Sequence, residues 1–186
     1  MLSPPSRQLT NDHLALDKLL AQLHTTLQSG DVKASHNLLD LFWAKLAVHI
    51  RAEHLQLFPV VLDCLSHTAN SQALAPTLYE ARSTIEVLRA DHDFFMTELA
   101  RVIGILRIVS LGDENQETQD EALNAVRQAM TDVANRLVIH NQLEEHKVYA
   151  WTTTILNDQE RTELANRIDI EIGNRPPRFS VNDWTT

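Results

Sequence analysis

Apolar side chains recur every three to four residues along most of this chain, which is the period of a helix with one buried face. Leucine, alanine, glutamine and glutamate are plentiful, whereas glycine and β-branched runs are scarce. This composition favours helices over strands, so the pattern predicts an all-α protein. Four long helices and one shorter one are predicted, over residues 10–28, 31–66, 76–112, 117–155 and 157–173.

Residues that favour helix ends support these ranges. They are Thr10 or Asn11, Gly30, Asp31, Pro76, and Asn157 or Asp158. Pro59 falls inside the second range, where the missing amide hydrogen predicts a bend or an interruption.

The connections after the first and third predicted helices are short, so each pair should form an antiparallel hairpin. Two such hairpins predict an up-down-up-down four-helix bundle with a short additional C-terminal helix. We expect one domain over residues 1–186, with the bundle at about 10–155 and the C-terminal helix and tail at about 157–186. The tail could dock through Phe179 and Trp184 or lie loose.

Each of the four long apolar stripes is interrupted at one level by histidine, or by histidine with glutamate four residues later. A spacing of four places both side chains on one helix face, and burying them is costly unless a partner satisfies them. With a rise of about 1.5 Å per residue, the histidines of each hairpin lie within about one turn of each other. The candidate metal ligands are His13, His49, Glu53, His92, His140 and Glu144.

A single His-x-x-x-Glu pair would be explained equally well as a solvated surface pair. The complete set, placed on the apolar stripes, favours a metal cluster. Mixed nitrogen and oxygen donors suit iron, manganese or zinc. Two carboxylates can each bridge two ions, and an oxo or hydroxo bridge would leave positions open for a small ligand.

Other polar residues near these motifs leave the stripes. His54 and His146 are expected to be solvated or hydrogen-bonded to ligands and not to bind metal themselves. Asp17 could accept a hydrogen bond from a ligand, but a solvated helix face explains it better. Glu145 is interpreted as surface charge. No glutamate has a histidine three residues later, which argues against a ferritin-like oxidase.

The formal net charge of −9 argues against nucleic acids and anionic membranes as partners. The chain has one cysteine, no apolar run long enough to span a bilayer, and no apolar signal-peptide core at its start. We therefore expect a cytoplasmic protein. The position left open beside the two ions favours a small diatomic ligand, O₂ or NO, as its partner. A homodimer is compatible with the sequence, which defines no oligomeric state.

The ordered motifs, with the local contexts HIRAEHLQLFPVV and VIHNQLEEHKVYAW, resemble the hemerythrin-like, or HHE cation-binding, family over residues 10–155. The resemblance implies a four-helix bundle around a non-haem di-iron centre, so we expect two iron ions, although manganese or zinc could occupy the same donors on expression. By position it implies that His13 and His49 serve one iron, that His92 and His140 serve the other, and that Glu53 and Glu144 bridge them.

The chain departs from the oxygen-carrying members at two places. Those proteins carry a further histidine where this chain has Leu88, and an aspartate where it has Glu144. The set of four histidines and two glutamates looks closer to bacterial hemerythrin-like proteins and to di-iron proteins that repair iron–sulfur clusters after nitrosative damage.

Three functions follow as hypotheses. The first is a di-iron protein that binds, senses or handles O₂, NO or peroxide. The second is an enzyme of nitrosative or oxidative stress defence that reduces NO or peroxide. The third is a structural or iron-sensing helical bundle. A visible absorption spectrum separates the first two hypotheses from a zinc or purely structural site. Catalytic turnover of NO, peroxide or O₂ then separates an enzyme from a binding protein.

Overall fold

The computed structural model describes residues 5–67, 75–111 and 116–179, which form five helical rods and no strand. The all-α prediction is confirmed. The rods are α1 (Pro5–Ser29); α2 (Val32–Ala52) continued by a π-helical segment (Glu53–Leu57) and α3 (Phe58–His67); α4 (Leu78–Leu111); α5 (Gln116–Leu143) continued by a π-helical segment (Glu144–Tyr149) and α6 (Ala150–Ile155); and α7 (Asp158–Gly173).

Four of these rods form the bundle. α1 packs against α2, α2 against α4, α4 against α5, and α5 again against α1. The short α7 lies outside this ring, against α1, α2 and the first π-helical segment. This is the predicted four-helix bundle with a short additional helix. Within the described ranges, no helix combines the length and the apolar character that crossing a bilayer requires.

The first hairpin turns where the sequence predicts. Gly30 follows α1 with a φ of 76°, a left-handed conformation that glycine adopts without strain. Asp31 then caps α2, its side chain accepting a hydrogen bond from the Ala34 amide at 2.9 Å.

The predicted start of the first helix is wrong. α1 already includes Pro5, so neither Thr10 nor Asn11 caps it. Leu9, four residues before His13, is fully buried, and the apolar stripe therefore continues one turn further back than the polar residues suggest.

Two other helix starts are set by side-chain caps. The Thr77 hydroxyl accepts a hydrogen bond from the Glu80 amide at 3.1 Å, so Pro76 precedes the cap instead of lying in the first turn of α4. Asn157 and Glu160 form a capping box at α7, with each side chain bonded to the other's backbone amide at 3.0 and 2.8 Å.

Pro59 does not interrupt its helix. The turn before it is π-helical instead, with the Phe58 amide donating to the Glu53 carbonyl five residues earlier. A proline lacks the amide hydrogen and crowds the carbonyl four residues back, so a wider turn relieves the conflict. The second π-helical segment contains no proline. What the two segments share is that each begins at the glutamate of His-x-x-x-Glu.

The described part of the tail docks on α2. Arg178 pairs with Asp40 at 2.8 Å, and its guanidinium lies 4.6 Å from the centre of the Phe179 ring. Trp184, also predicted as a docking residue, lies outside the described residues, as does Gly112, the predicted end of the third helix.

The core is divided into two apolar clusters along the bundle. On α1, Leu9 and Leu16 belong to different clusters, and His13 lies between them. On α4, Leu88 and Phe95 are divided in the same way by another histidine. A polar layer therefore crosses the bundle at the level where the stripes are interrupted.

Candidate metal centre

Six side chains from all four walls of the bundle meet in this polar layer. α1 and α4 each supply one histidine, and α2 and α5 each supply a histidine whose glutamate begins the following π-helical segment. None of the six is more than 3% exposed. They are the six candidates from the sequence, His13, His49, Glu53, His92, His140 and Glu144. The structure brings them together, and their role as metal ligands stays a prediction.

The first set of donors surrounds the histidines of α1 and α2. The Nε2 atoms of His13 and His49 lie 3.1 Å apart. Glu144 Oε2 is 3.2 Å from His13 Nε2, and Glu53 Oε1 is 3.6 Å from His49 Nε2. One oxygen of each glutamate therefore faces this histidine pair.

The second set surrounds the histidines of α4 and α5, whose Nε2 atoms lie 3.0 Å apart. Glu53 Oε2 is 3.3 Å from His92 Nε2, and Glu144 Oε1 is 3.0 Å from His140 Nε2. Each glutamate thus offers one oxygen to each histidine pair. This is the arrangement that carboxylates need to bridge two ions.

Two atoms of the layer lack hydrogen-bond partners. Glu53 Oε2 and Glu144 Oε1 are buried with no donor in hydrogen-bonding geometry, and both face the His92 and His140 pair. An unsatisfied buried carboxylate oxygen is costly. A cation held between these oxygens and the imidazoles would offset that cost. Nitrogen and oxygen donors at these distances fit iron, manganese or zinc.

The outward Nδ1 atoms of all four histidines are also partnered. Three contact carboxylates: His49 with Asp12 at 2.9 Å, His13 with Glu145 at 2.9 Å, and His140 with Asp91 at 3.2 Å. Such contacts fix the ring orientation and direct Nε2 into the site.

Glu145 is therefore not a surface charge, and that interpretation was wrong. It leaves the stripe, but its side chain is only 35% exposed and is long enough to reach His13 from the edge of the bundle. Asp17, the other acceptor considered for this role, is exposed on α1.

The fourth Nδ1 contact is of a different kind. His54 Nε2 lies 2.9 Å from His92 Nδ1, so an imidazole replaces the carboxylate found at the other three rings. Burial, followed by the charges of His92 and Arg89, lowers the pKa of His54. His146, in contrast, is exposed and bonds to the Gln142 carbonyl. Neither side chain belongs to the groups of donors gathered in the layer.

Replacing Asp12 with alanine is expected to weaken metal binding by about 10–100-fold, the usual effect of losing a hydrogen-bond partner of a metal-bound histidine. Asp132→Ala, the same change at an exposed position of α5, is the matched control and should leave affinity unchanged. Competition with a chromophoric chelator measures both. Equal affinities for the two variants would show that Asp12 does not support the site.

Tyr149 is a member of the layer that sequence reasoning missed. Its hydroxyl donates to Glu53 Oε1 at 2.7 Å and lies 3.2 Å from both Glu144 Oε2 and His13 Nε2. The side chain is 1% exposed. Burial, together with the Glu144 and Glu53 carboxylates, raises the pKa of Tyr149 well above its usual range. The available signal was its position five residues after Glu144, which is the span of a π-helical hydrogen bond.

The layer also shifts the pKa values of its own members. Burial alone would lower the pKa of His49, but Glu53 and Asp12 outweigh it and raise the pKa to about 9. Burial likewise opposes the charged form of His92, and Glu144 and Glu53 raise its pKa to about 9. Burial disfavours the Glu144 carboxylate, yet the adjacent imidazoles of His13, His140 and His92 hold its pKa well below the usual range.

The fold and the site define a helical-bundle protein with a buried cation-binding centre. The chain matches the family model of the hemerythrin HHE cation binding domain over residues 4–152. It therefore belongs to the hemerythrin HHE family, and its buried cluster of histidines and glutamates fits a di-iron site. No curated protein sequence matches the chain significantly.

Proposed function

We propose that this protein holds two iron ions and binds a small diatomic ligand, O₂ or NO, at the carboxylate-bridged centre. The observation that carries the proposal is the division of the glutamate oxygens. Glu53 and Glu144 each place one oxygen near one histidine pair and the second near the other. A single-ion site would not need this arrangement, whereas a bridged pair of ions does.

The proposed ligand roles follow the two sets of donors. Bound iron supplies a redox-active, Lewis-acidic centre, and the apolar clusters on both sides keep bulk water away from it. The outward contacts of the imidazoles hold the donors in place. We assign His13 and His49 to one ion, His92 and His140 to the other, and Glu53 and Glu144 as bridges.

The proposed place for the small ligand is the ion near α4. Leu88 lies one helical turn before His92 and is fully buried, but it has no lone pair to donate. With two imidazoles and two carboxylate oxygens, this ion would keep an exchangeable position.

About two metal ions per chain are expected after reconstitution with iron under non-chelating conditions, because donors from all four walls converge in two sets. Elemental analysis with an optical spectrum measures this. Fewer than one ion per chain under these conditions would contradict the proposal.

Addition of NO or azide to the iron-loaded protein is expected to change its optical spectrum, because an exchangeable position would accept either ligand. Leu88→His would place an imidazole at that position and should weaken or alter the response. A protein that is loaded with two irons yet unresponsive to either ligand would instead favour a structural or iron-sensing role.

A further inference from the structure

The two halves of the centre differ by one hydroxyl group. Five residues after Glu144 stands Tyr149, and five residues after Glu53 stands Phe58. Both rings are buried and stack on a histidine of the layer: Tyr149 on His13 with ring centres 5.6 Å apart, and Phe58 on a ring of the other pair at 6.1 Å. Positions that match in sequence and in packing therefore carry an oxygen on one side only.

The oxygen of Tyr149 lies where a further metal donor would lie. In an octahedral site with bonds of about 2.1 Å, neighbouring donors are about 3.0 Å apart. The Tyr149 hydroxyl is 3.2 Å from His13 Nε2, 3.2 Å from Glu144 Oε2 and 2.7 Å from Glu53 Oε1. The Nε2 atoms of His13 and His49 are 3.1 Å apart. These separations match the edges expected of one coordination shell.

We propose that Tyr149 supplies a fifth donor oxygen to the ion held by His13 and His49, whereas Phe58 leaves the ion held by His92 and His140 without one. Ligation replaces the O–H bond of Tyr149 with an oxygen–metal bond and releases the proton to solvent, with no electron transferred. The small ligand then binds to the ion on the Phe58 side. This inference rests on the proposed di-iron function.

The two carboxylates around Tyr149 favour its neutral hydroxyl, but a bound cation reverses the local field. The donors of the two sets also become unequal, with five on the Tyr149 side and four on the Phe58 side. The hydroxyl therefore determines which ion keeps the exchangeable position.

The test uses the full chain and both of its tyrosines. Tyr79 is 83% exposed and provides the matched control. The parent, Tyr149→Phe and Tyr79→Phe are each titrated with Zn²⁺ and monitored by ultraviolet difference spectroscopy. In a separate experiment each is loaded with Fe²⁺, oxidised in air, and monitored by visible absorption spectroscopy. We expect a tyrosinate difference band with zinc and a phenolate-to-iron charge-transfer band with iron. Both bands should persist in Tyr79→Phe and disappear in Tyr149→Phe.

A second variant tests the asymmetry. Phe58→Tyr adds the missing hydroxyl, and in combination with Tyr149→Phe it should restore the charge-transfer band from the opposite side. Circular dichroism and metal content establish that each variant is folded and loaded. Azide should perturb the ion on the Phe58 side in the parent, and Mössbauer spectra of ⁵⁷Fe-loaded protein should show two unequal iron sites.

The outcomes separate this inference from the proposed function. Metal bound by the parent without a tyrosinate or charge-transfer band would overturn the role of Tyr149 and leave the di-iron proposal standing. If the bands are present but neither NO nor azide changes the spectrum, the proposal that the centre binds a small ligand is overturned and Tyr149 remains a metal donor. Bands that vanish in Tyr79→Phe and survive in Tyr149→Phe would also overturn the assignment. A parent that binds neither metal would refute both.

Discussion

Glu53→Gln is expected to remove both metal ions from the centre while the helical bundle stays folded. Glu53 Oε1 faces His49, and Glu53 Oε2 faces His92. Glutamine keeps the volume but removes the negative charge that a bridge between two cations requires. The loss in affinity should exceed the 10–100-fold or so that outer hydrogen-bond partners contribute. Loss of the buried charge lowers the desolvation cost, and the buried imidazoles of His49 and His92 can lose their protons in response, so the fold should tolerate the change.

Glu86→Gln provides the control, because it makes the same chemical change on an exposed position of α4. Metal content and the optical spectrum are measured on both variants after identical iron reconstitution, with circular dichroism to verify folding. Full occupancy and an unchanged spectrum in Glu53→Gln would refute the bridging assignment. Loss of one ion only would show that Glu53 binds a single ion.

The general architecture could be predicted because it depends on local rules. The helical period, the left-handed Gly30 and the Asp31 cap act within a few residues, so they can be identified in the sequence. The convergence of the six candidate residues was also predictable. Each interrupts an apolar stripe, and antiparallel helices of similar length bring equal levels together.

The partners around the centre were less predictable because they depend on contacts between helices. Glu145 leaves the stripe by one residue, and only the position of α1 beside it shows that it reaches His13. His54 was placed near the site, but its contact with His92 depends on how α4 packs against the π-helical segment. A helical pattern identifies which face is buried, not which side chains at its edge meet.

Sequence reasoning missed Tyr149 because it assumed the residue period of an α-helix. An α-helix places the fifth residue after Glu144 about 140° away around its axis, off the stripe. The π-helical segment has a wider turn, in which the fifth residue returns to the same side. The same change of period brings Phe58 into the core after Glu53. Sequence patterns based on one helical period cannot register such a local change.

Metal affinity is expected to increase steeply with pH up to about 9. In the metal-free protein the carboxylates raise the pKa values of His49 and His92 from 6.5 to about 9, so both imidazoles carry protons at neutral pH. Each must lose its proton to bind a cation. Because the two histidines belong to different sets of donors, their deprotonation alone should increase the affinity for each ion about tenfold per pH unit below 9, and release of the Tyr149 proton should make the dependence steeper for the ion held by His13 and His49.

The stability of the metal-free fold should change in the opposite direction. A raised pKa in the folded state stabilises the protein fully below the unfolded value of 6.5. That stability is lost as the pH rises through about 9. The melting temperature of chelator-treated protein should therefore fall between pH 6.5 and 9. The melting temperature of zinc-loaded protein should rise over the same window because binding strengthens.

Zinc titrations between pH 6 and 9, with the released protons measured in two buffers, test the expected increase of metal affinity with pH. An affinity independent of pH would show that these imidazoles are not protonated before binding, and parallel melting trends with and without zinc would contradict the coupling.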